Sequence, residues 1–163
     1  MTLLEGRPRL VVSRTMSKAF ACAGLRLGYA IAAPELIDTL RLVRLPYHLS
    51  DVTQVLACTA LDHADLLLGN VDRLIDSRNA IAAHLAELGF TVHPSDSNFV
   101  LFGNIANPAE LWQKLLDRGI LIRDIGIAHH ARVNAGTEAE TTAFLTAISD
   151  IVDTDPSILL TSN

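Results

Sequence analysis

At 163 residues, half of them hydrophobic and 5% aromatic, the chain is long enough to bury a core and too apolar to be disordered. Thirteen basic against eighteen acidic residues leave a net charge of −5, which argues against a broad nucleic-acid surface or an anionic-membrane patch. No apolar run reaches the ~20 residues of a bilayer span, and Met1-Thr-Leu-Leu-Glu-Gly-Arg7 lacks the charged-then-apolar pattern of a secretory leader. Cys22 and Cys58 lie far apart in apolar surroundings and read as two reduced thiols, so a cytoplasmic protein is expected.

In chain order, residues 9–13 are short, apolar and β-branched, the pattern of a buried strand, and residues 25–32 read as a second. Pro34 fits the first turn of a helix whose apolar positions Leu36, Ile37, Leu40 and Val43 carry it to Leu45, just before Pro46. Ser50 or Asp51 is a suitable N-cap for a helix over 52–68. Gly69-Asn70 is expected to interrupt it before a further helix over 71–88, which Gly89 ends.

Beyond Gly89 the period changes. Residues 90–94 and 98–102 alternate as two strands around a Ser-Asp-Ser turn. Asn107 caps and Pro108 opens a helix reaching Arg118; strands are expected over 120–125 and 131–134, then an amphipathic helix over 138–151. That β-β-α-β-β-α order describes a small α+β domain with its helices on one face of a sheet. Residues 153–163 read as a poorly ordered tail.

The residues fit for chemistry begin at Ser13-Arg-Thr-Met-Ser-Lys18-Ala-Phe, followed by Ala-Gly-Leu-Arg26-Leu-Gly-Tyr29. One amine, two hydroxyls (Thr15 and Ser17) and a guanidinium (Arg26) suit a pyridoxal 5'-phosphate site: the amine condenses with the aldehyde, and the others hold the phosphate. Lys18 needs burial or cationic neighbours to lose its proton; Ala19, Phe20, Ala21 and Ala23 offer apolar cover, Arg14 and Arg26 positive charge. Further on, Arg123 is one abrupt cation in an apolar run, and Arg132 leads from a strand into a turn and a capped helix. Either would equally serve in a salt bridge to Asp124 or Glu138. Asn98 reads as a hydrogen-bonding group or as an Asx turn entering its strand. The six histidines are scattered apart from His129-His130 and form no metal-ligand motif, and no Gly-x-Ser-x-Gly elbow or Gly-rich nucleotide loop occurs.

The ordered series Thr-x-Ser-Lys18, Gly-Leu-Arg26-x-Gly-Tyr, Leu-x-Arg123-Asp-x-Gly and Arg132-x-x-x-Gly-Thr-x-x-Glu resembles the fold-type I aminotransferases, most closely their histidinol-phosphate aminotransferase branch. The resemblance runs over about residues 9–151. Asn134, where threonine or serine is usual, and His129-His130, in place of a commoner glycine-containing turn, depart from the pattern. It implies an α/β chain that is the C-terminal part of such an enzyme: residues 1–50 the end of a large cofactor domain, 51–88 connecting helices, 89–152 a small α+β domain, and 153–163 the tail. It implies Lys18 as the cofactor lysine, with Thr15, Ser17 and Arg26 around the phosphate. Arg132 would grip the α-carboxylate, Arg123 the distal phosphate of the substrate, and Asn98 would lie near the carboxylate.

The implied activity is transfer of an amino group between histidinol phosphate and 2-oxoglutarate in histidine biosynthesis, by a cytoplasmic homodimer. Aromatic aminotransferases and the threonine-phosphate decarboxylase share these motifs, and a non-catalytic truncated module is a third expectation. The acidic residue that such enzymes place on the pyridine nitrogen lies upstream of the lysine strand. Glu5 is the only acid before Lys18 and is not in that setting.

Overall fold

The computed structural model describes residues 2–160. Contacts divide the chain into two compact units, Met1–Val71 and Asp72–Asn163, with the division falling inside one long helix.

The first unit opens with a hairpin of β1 (Val12–Thr15) and β2 (Gly28–Ile31), paired antiparallel from Val12↔Ile31 to Thr15↔Gly28. Both strands begin later than the sequence suggests, and the stretch before β2 is a 3-10 turn over Ala23–Leu25. Nor are they buried. Apart from half-buried Val12 and Ile31, every strand position is exposed, because the two strands pair only with each other. Gly28 is required by space: a Cβ there would stand 2.7 Å from the Arg14 carbonyl oxygen.

Helix α1 (Pro34–Val43) starts on its proline, whose fixed φ and missing N–H suit the first turn. Helix α2 (Asp51–Asp62) is capped by the Ser50 hydroxyl, which accepts from the Thr53 N–H at 3.1 Å. The break expected at Gly69-Asn70 occurs instead at His63, and α3 (Ala64–Glu87) runs straight through that glycine. An interior glycine costs a helix about 1 kcal/mol, less than surrounding turns supply. Asp65 in the first turn of α3 favours a new start there through the helix dipole. Among the described residues of this unit only Met16 and Ala57 are buried apolar side chains, while Leu42 (86% exposed) and Tyr47 (100%) stand in the open. No helix among the described residues is long and apolar enough to cross a membrane.

The second unit carries the core. Strands β3 (Thr91–Val92), β4 (Phe99–Gly103) and β5 (Ala131–Asn134) form an antiparallel sheet in that order. Alternation sends Val100, Phe102, Ala131 and Val133 to one face, where they pack with Leu111 and Leu115 of α4 (Pro108–Leu116) and Phe144, Ile148 and Ile151 of α5 (Glu138–Thr154). Each large side chain buried there contributes about 1.5–3 kcal/mol. Asn107 caps α4, and α5 has a full capping box: Thr137 Oγ1 accepts from the Glu140 N–H while the Glu140 carboxylate accepts from the Thr137 N–H at 2.7 Å. Those hydrogen bonds from Thr137 lower the Glu140 carboxyl below its ordinary range.

Two expectations fail here. Residues 120–125 are not a strand; they make one isolated bridge, Arg123↔Arg132. The Trp112 indole N–H donates to the Ile122 carbonyl at 3.0 Å, and Asp124 turns back to accept from the Gly126 N–H. On the β5 side the next ladder donor, the His130 N–H, goes instead to the Ile127 carbonyl, which ends the pairing. The supposed tail is also structured as far as it is described. Asp153 and Thr154 finish α5, Pro156–Ile158 is a 3-10 turn, and Ile158 is 2% exposed within the core. Residues 161–163 lie outside the described residues. Lys114 fastens this segment by donating to Asp155 at 2.6 Å while also pairing with Glu110 at 3.2 Å.

On the sheet face away from the core, His93 and His130 join Nε2 to Nε2 at 3.0 Å, and His130 Nδ1 meets the Ala128 carbonyl at 2.8 Å. The His130 ring occupies the space that a Cβ on Gly103 would need, 2.6 Å from its Nε2. Gly103→Ala is therefore expected to destabilise the second unit by about 1–3 kcal/mol. Urea unfolding checks this, and adding His130→Ala should return much of the loss. An unchanged midpoint in the single variant refutes the packing.

Asp155 is held below the ordinary carboxylate range, first by the hydrogen bond from Lys114 and then by that from Ser157. Its contribution is complete above the unfolded carboxylate value of about 3.9 and is lost as pH falls through its lower folded value. Lys114 is raised, first by its hydrogen bond to Asp155 and then by that to Glu110, so its share persists to the alkaline side. Asp155→Asn should lower stability at neutral pH and flatten its fall on acidification, read from thermal midpoints between about pH 7 and 3. Parallel curves for the two proteins would contradict this.

Candidate active site

In the first unit the hairpin gathers part of the expected site. The Met16 N–H donates to the Leu27 carbonyl at 3.1 Å, one bond beyond the last ladder pair, Thr15↔Gly28, and the chain then turns away from β2. Thr15 and Ser17 bond through their hydroxyls at 2.9 Å, and the Ser17 N–H donates to Thr15 Oγ1 at 3.1 Å. Lys18 leads the turn that follows; its carbonyl accepts from the Ala21 N–H, and the loop closes where the Cys22 N–H reaches the Met16 carbonyl at 3.1 Å. Met16, buried, anchors this loop from below.

Lys18 itself is exposed, not covered as the neighbouring alanines suggested. Among the described residues its amine has no hydrogen-bond or carboxylate partner. Arg26 has φ of 51°, a left-handed conformation costly for a side chain with a Cβ, and its guanidinium donates to the Ala23 carbonyl at 3.3 Å. Non-glycine strain of this kind recurs at binding sites, where the surrounding backbone enforces it. Thr15, Ser17, Lys18 and Arg26 thus lie on one hairpin and its closing loop, with the two hydroxyls in contact and the Arg26 guanidinium turned to the Ala23 carbonyl.

In the second unit Arg123 and Arg132 face each other across the isolated bridge, exchanging both backbone bonds at 2.9 Å. Residues so paired present their side chains on the same face, and like charges there repel. Neither Asp124 nor Glu138 relieves this: among the described residues no carboxylate pairs with either arginine, and Glu140, nearby, is occupied by its capping box. Arg132 lies instead with its guanidinium carbon 4.7 Å from the centre of the Phe99 ring, and its Nε is buried without a partner.

A cavity of about 680 Å³ runs along the edge of β5, lined by both arginines together with Ile122, Glu140, Thr141 and Phe144. Thr141 adds a second buried polar atom, its hydroxyl, without a partner. Asn98 is held otherwise. Its carbonyl accepts from the Ala135 N–H at 2.9 Å, its side chain meets the Ser97 hydroxyl at 3.5 Å, and among the described residues no hydrogen bond joins it to the arginines. Phe99 is the residue that sequence reasoning missed. Its period-two position marks it as a strand residue, but only the β4–β5 register shows that it shares a face with Arg132.

Comparison with known proteins shows the family. The aminotransferase class I and II family matches residues 1–148. The histidinol-phosphate aminotransferase of Paenarthrobacter aurescens is 56% identical over 153 residues, covering 94% of this chain, and that of Streptomyces avermitilis is 54% identical over 151 residues, covering 93%. The chain spans 41% of the length of each of these relatives.

Among solved structures, the histidinol-phosphate aminotransferase of Sinorhizobium meliloti, in complex with pyridoxal-5'-phosphate, superposes with a TM-score of 0.76 at 27% identity, covering 93% of this chain and 43% of that one. The enzyme of the same name from Clostridium acetobutylicum gives 0.78 at 26%, covering 89% and 46%. The α/β architecture is therefore that of part of a fold-type I aminotransferase, and the chain belongs to the aminotransferase class I and II family.

Proposed function

We propose that this chain carries the cofactor-lysine and substrate-arginine portions of a pyridoxal-phosphate-dependent enzyme that transfers an amino group between histidinol phosphate and 2-oxoglutarate in histidine biosynthesis. The observation that supports the reading is the hydroxyl pair of Thr15 and Ser17 at the end of β1, on the hairpin whose closing loop carries Lys18 and Arg26. Relatives above 50% identity that bear the histidinol-phosphate aminotransferase name support the substrate. As in the family, the working form is a cytoplasmic homodimer.

The residues fit the group at two of its ends. Two hydroxyls and a guanidinium suit a phosphate dianion, and an amine free of carboxylate partners suits an aldehyde. When bound, the cofactor supplies an electron sink for the carbanion formed at the substrate's Cα. Lys18 would hold the cofactor through its amine and would serve as the base that takes and gives back a proton at the substrate's Cα. Arg26, Thr15 and Ser17 hold the phosphate so that the amine and the reacting carbon stay in line. Arg132 grips the α-carboxylate of the amino-acid partner, with Asn98 nearby, and Arg123 takes the distal phosphate of histidinol phosphate. The cross-strand repulsion between the two arginines falls when an anion lies between them.

The chain has two lysines, Lys18 and Lys114, and the second is engaged by two carboxylates, which supplies an internal control. After incubation with pyridoxal 5'-phosphate and borohydride reduction, peptide mass spectrometry should find the phosphopyridoxyl group on Lys18 in large excess over Lys114. Lys18→Ala should abolish the specific label, and Arg26→Ala should raise the cofactor concentration needed about tenfold, the loss of one charge-assisted contact. Equal labelling of both lysines sinks the assignment.

A further inference from the structure

We propose that Phe99 is the positioning residue for Arg132, holding its guanidinium flat and aimed while leaving its donors open for an incoming carboxylate; this rests on the reading of Arg132 given above. The guanidinium carbon lies 4.7 Å from the Phe99 ring centre, inside the ~6 Å reach of a cation–π contact. Phe99 pairs with Asn134 and Leu101 with Arg132, so Phe99 and Arg132 are diagonal neighbours on one sheet face.

A half-buried arginine usually fixes itself by pairing with a carboxylate. That partner would compete with a substrate anion for the same N–H groups. An aromatic face orients the cation without consuming a donor, and here Arg132 Nε is buried with no acceptor among the described residues. The ring is itself well placed. The Ser95 hydroxyl donates to the Phe99 carbonyl at 2.7 Å, and the Ala135 N–H donates to the preceding carbonyl, of Asn98, at 2.9 Å. From the other side Arg123 sits opposite Arg132, so without the ring the guanidinium would swing away from a like charge.

The test uses the 163-residue chain and the arginine Nε–H signals in proton–nitrogen correlation spectra, with 2-oxoglutarate as the probe. The Arg132 signal, identified by its loss in Arg132→Lys, is expected upfield of the other arginines because it lies over the ring, and it should move on titration. Phe99→Leu should abolish the upfield shift and weaken 2-oxoglutarate about five- to tenfold, while Phe99→Tyr should keep both within about twofold. Should leucine unsettle the strand, Phe99→Met removes the ring with a longer, more adaptable side chain. Binding unchanged in a folded Phe99→Leu or Phe99→Met protein overturns the positioning role alone. An Arg132 signal that ignores 2-oxoglutarate in the unsubstituted chain overturns the carboxylate-gripping reading, and the positioning role with it.

Discussion

Two arginines set directly opposite one another on antiparallel backbone are the constraint around which the second unit is arranged. The Arg123–Arg132 bridge cannot slip, because both of its backbone bonds are made at 2.9 Å, and it cannot neutralise itself, because the nearby acids are engaged elsewhere. Asp124 is spent on a turn and Glu140 on a cap. The unfavourable term stays local, while the opposite face of the same sheet supplies the stability through Val100, Phe102, Ala131 and Val133. One face is apolar and close-packed, the other holds unpaired cations.

The hairpin of the first unit reaches a similar end by different means. Few side chains are buried there, so its geometry is written in the backbone: a four-pair ladder, a glycine that only a hydrogen atom fits at Gly28, and a loop closed by the Met16–Cys22 bond. Arg26 in a left-handed conformation is a local cost of about 1–2 kcal/mol, set by that closure. The same closure leaves Lys18 at the head of the turn.

Local signals were readable in the amino-acid sequence because their physics is local. Ser50, Asn107, Pro34 and Pro108 each mark a helix start through a side-chain oxygen or a fixed φ, and each does so in the structure. Failures came where a distant partner decides. An apolar run over 120–125 looks like a strand until the Trp112 indole takes the Ile122 carbonyl. A polar C-terminus looks loose until Lys114 and the core claim Asp155 and Ile158. On the hairpin, the candidate residues Thr15, Ser17, Lys18 and Arg26 lie within a dozen positions of one another, so the sequence alone groups them. The contact of Phe99 with Arg132 depends on strand register, a tertiary quantity, and had no one-dimensional trace.

The two lysines bring these threads together. Lys114 bridges two carboxylates and is raised by them, which locks it as an ammonium ion and makes it a structural tie between α4 and the segment after α5. Lys18 has arginines in its loop and no carboxylate partner among the described residues. With eighteen acids to place, the chain puts two on Lys114 and none in contact with Lys18. Among the described residues the acids thus tie down one amine from two sides and leave the other without a carboxylate.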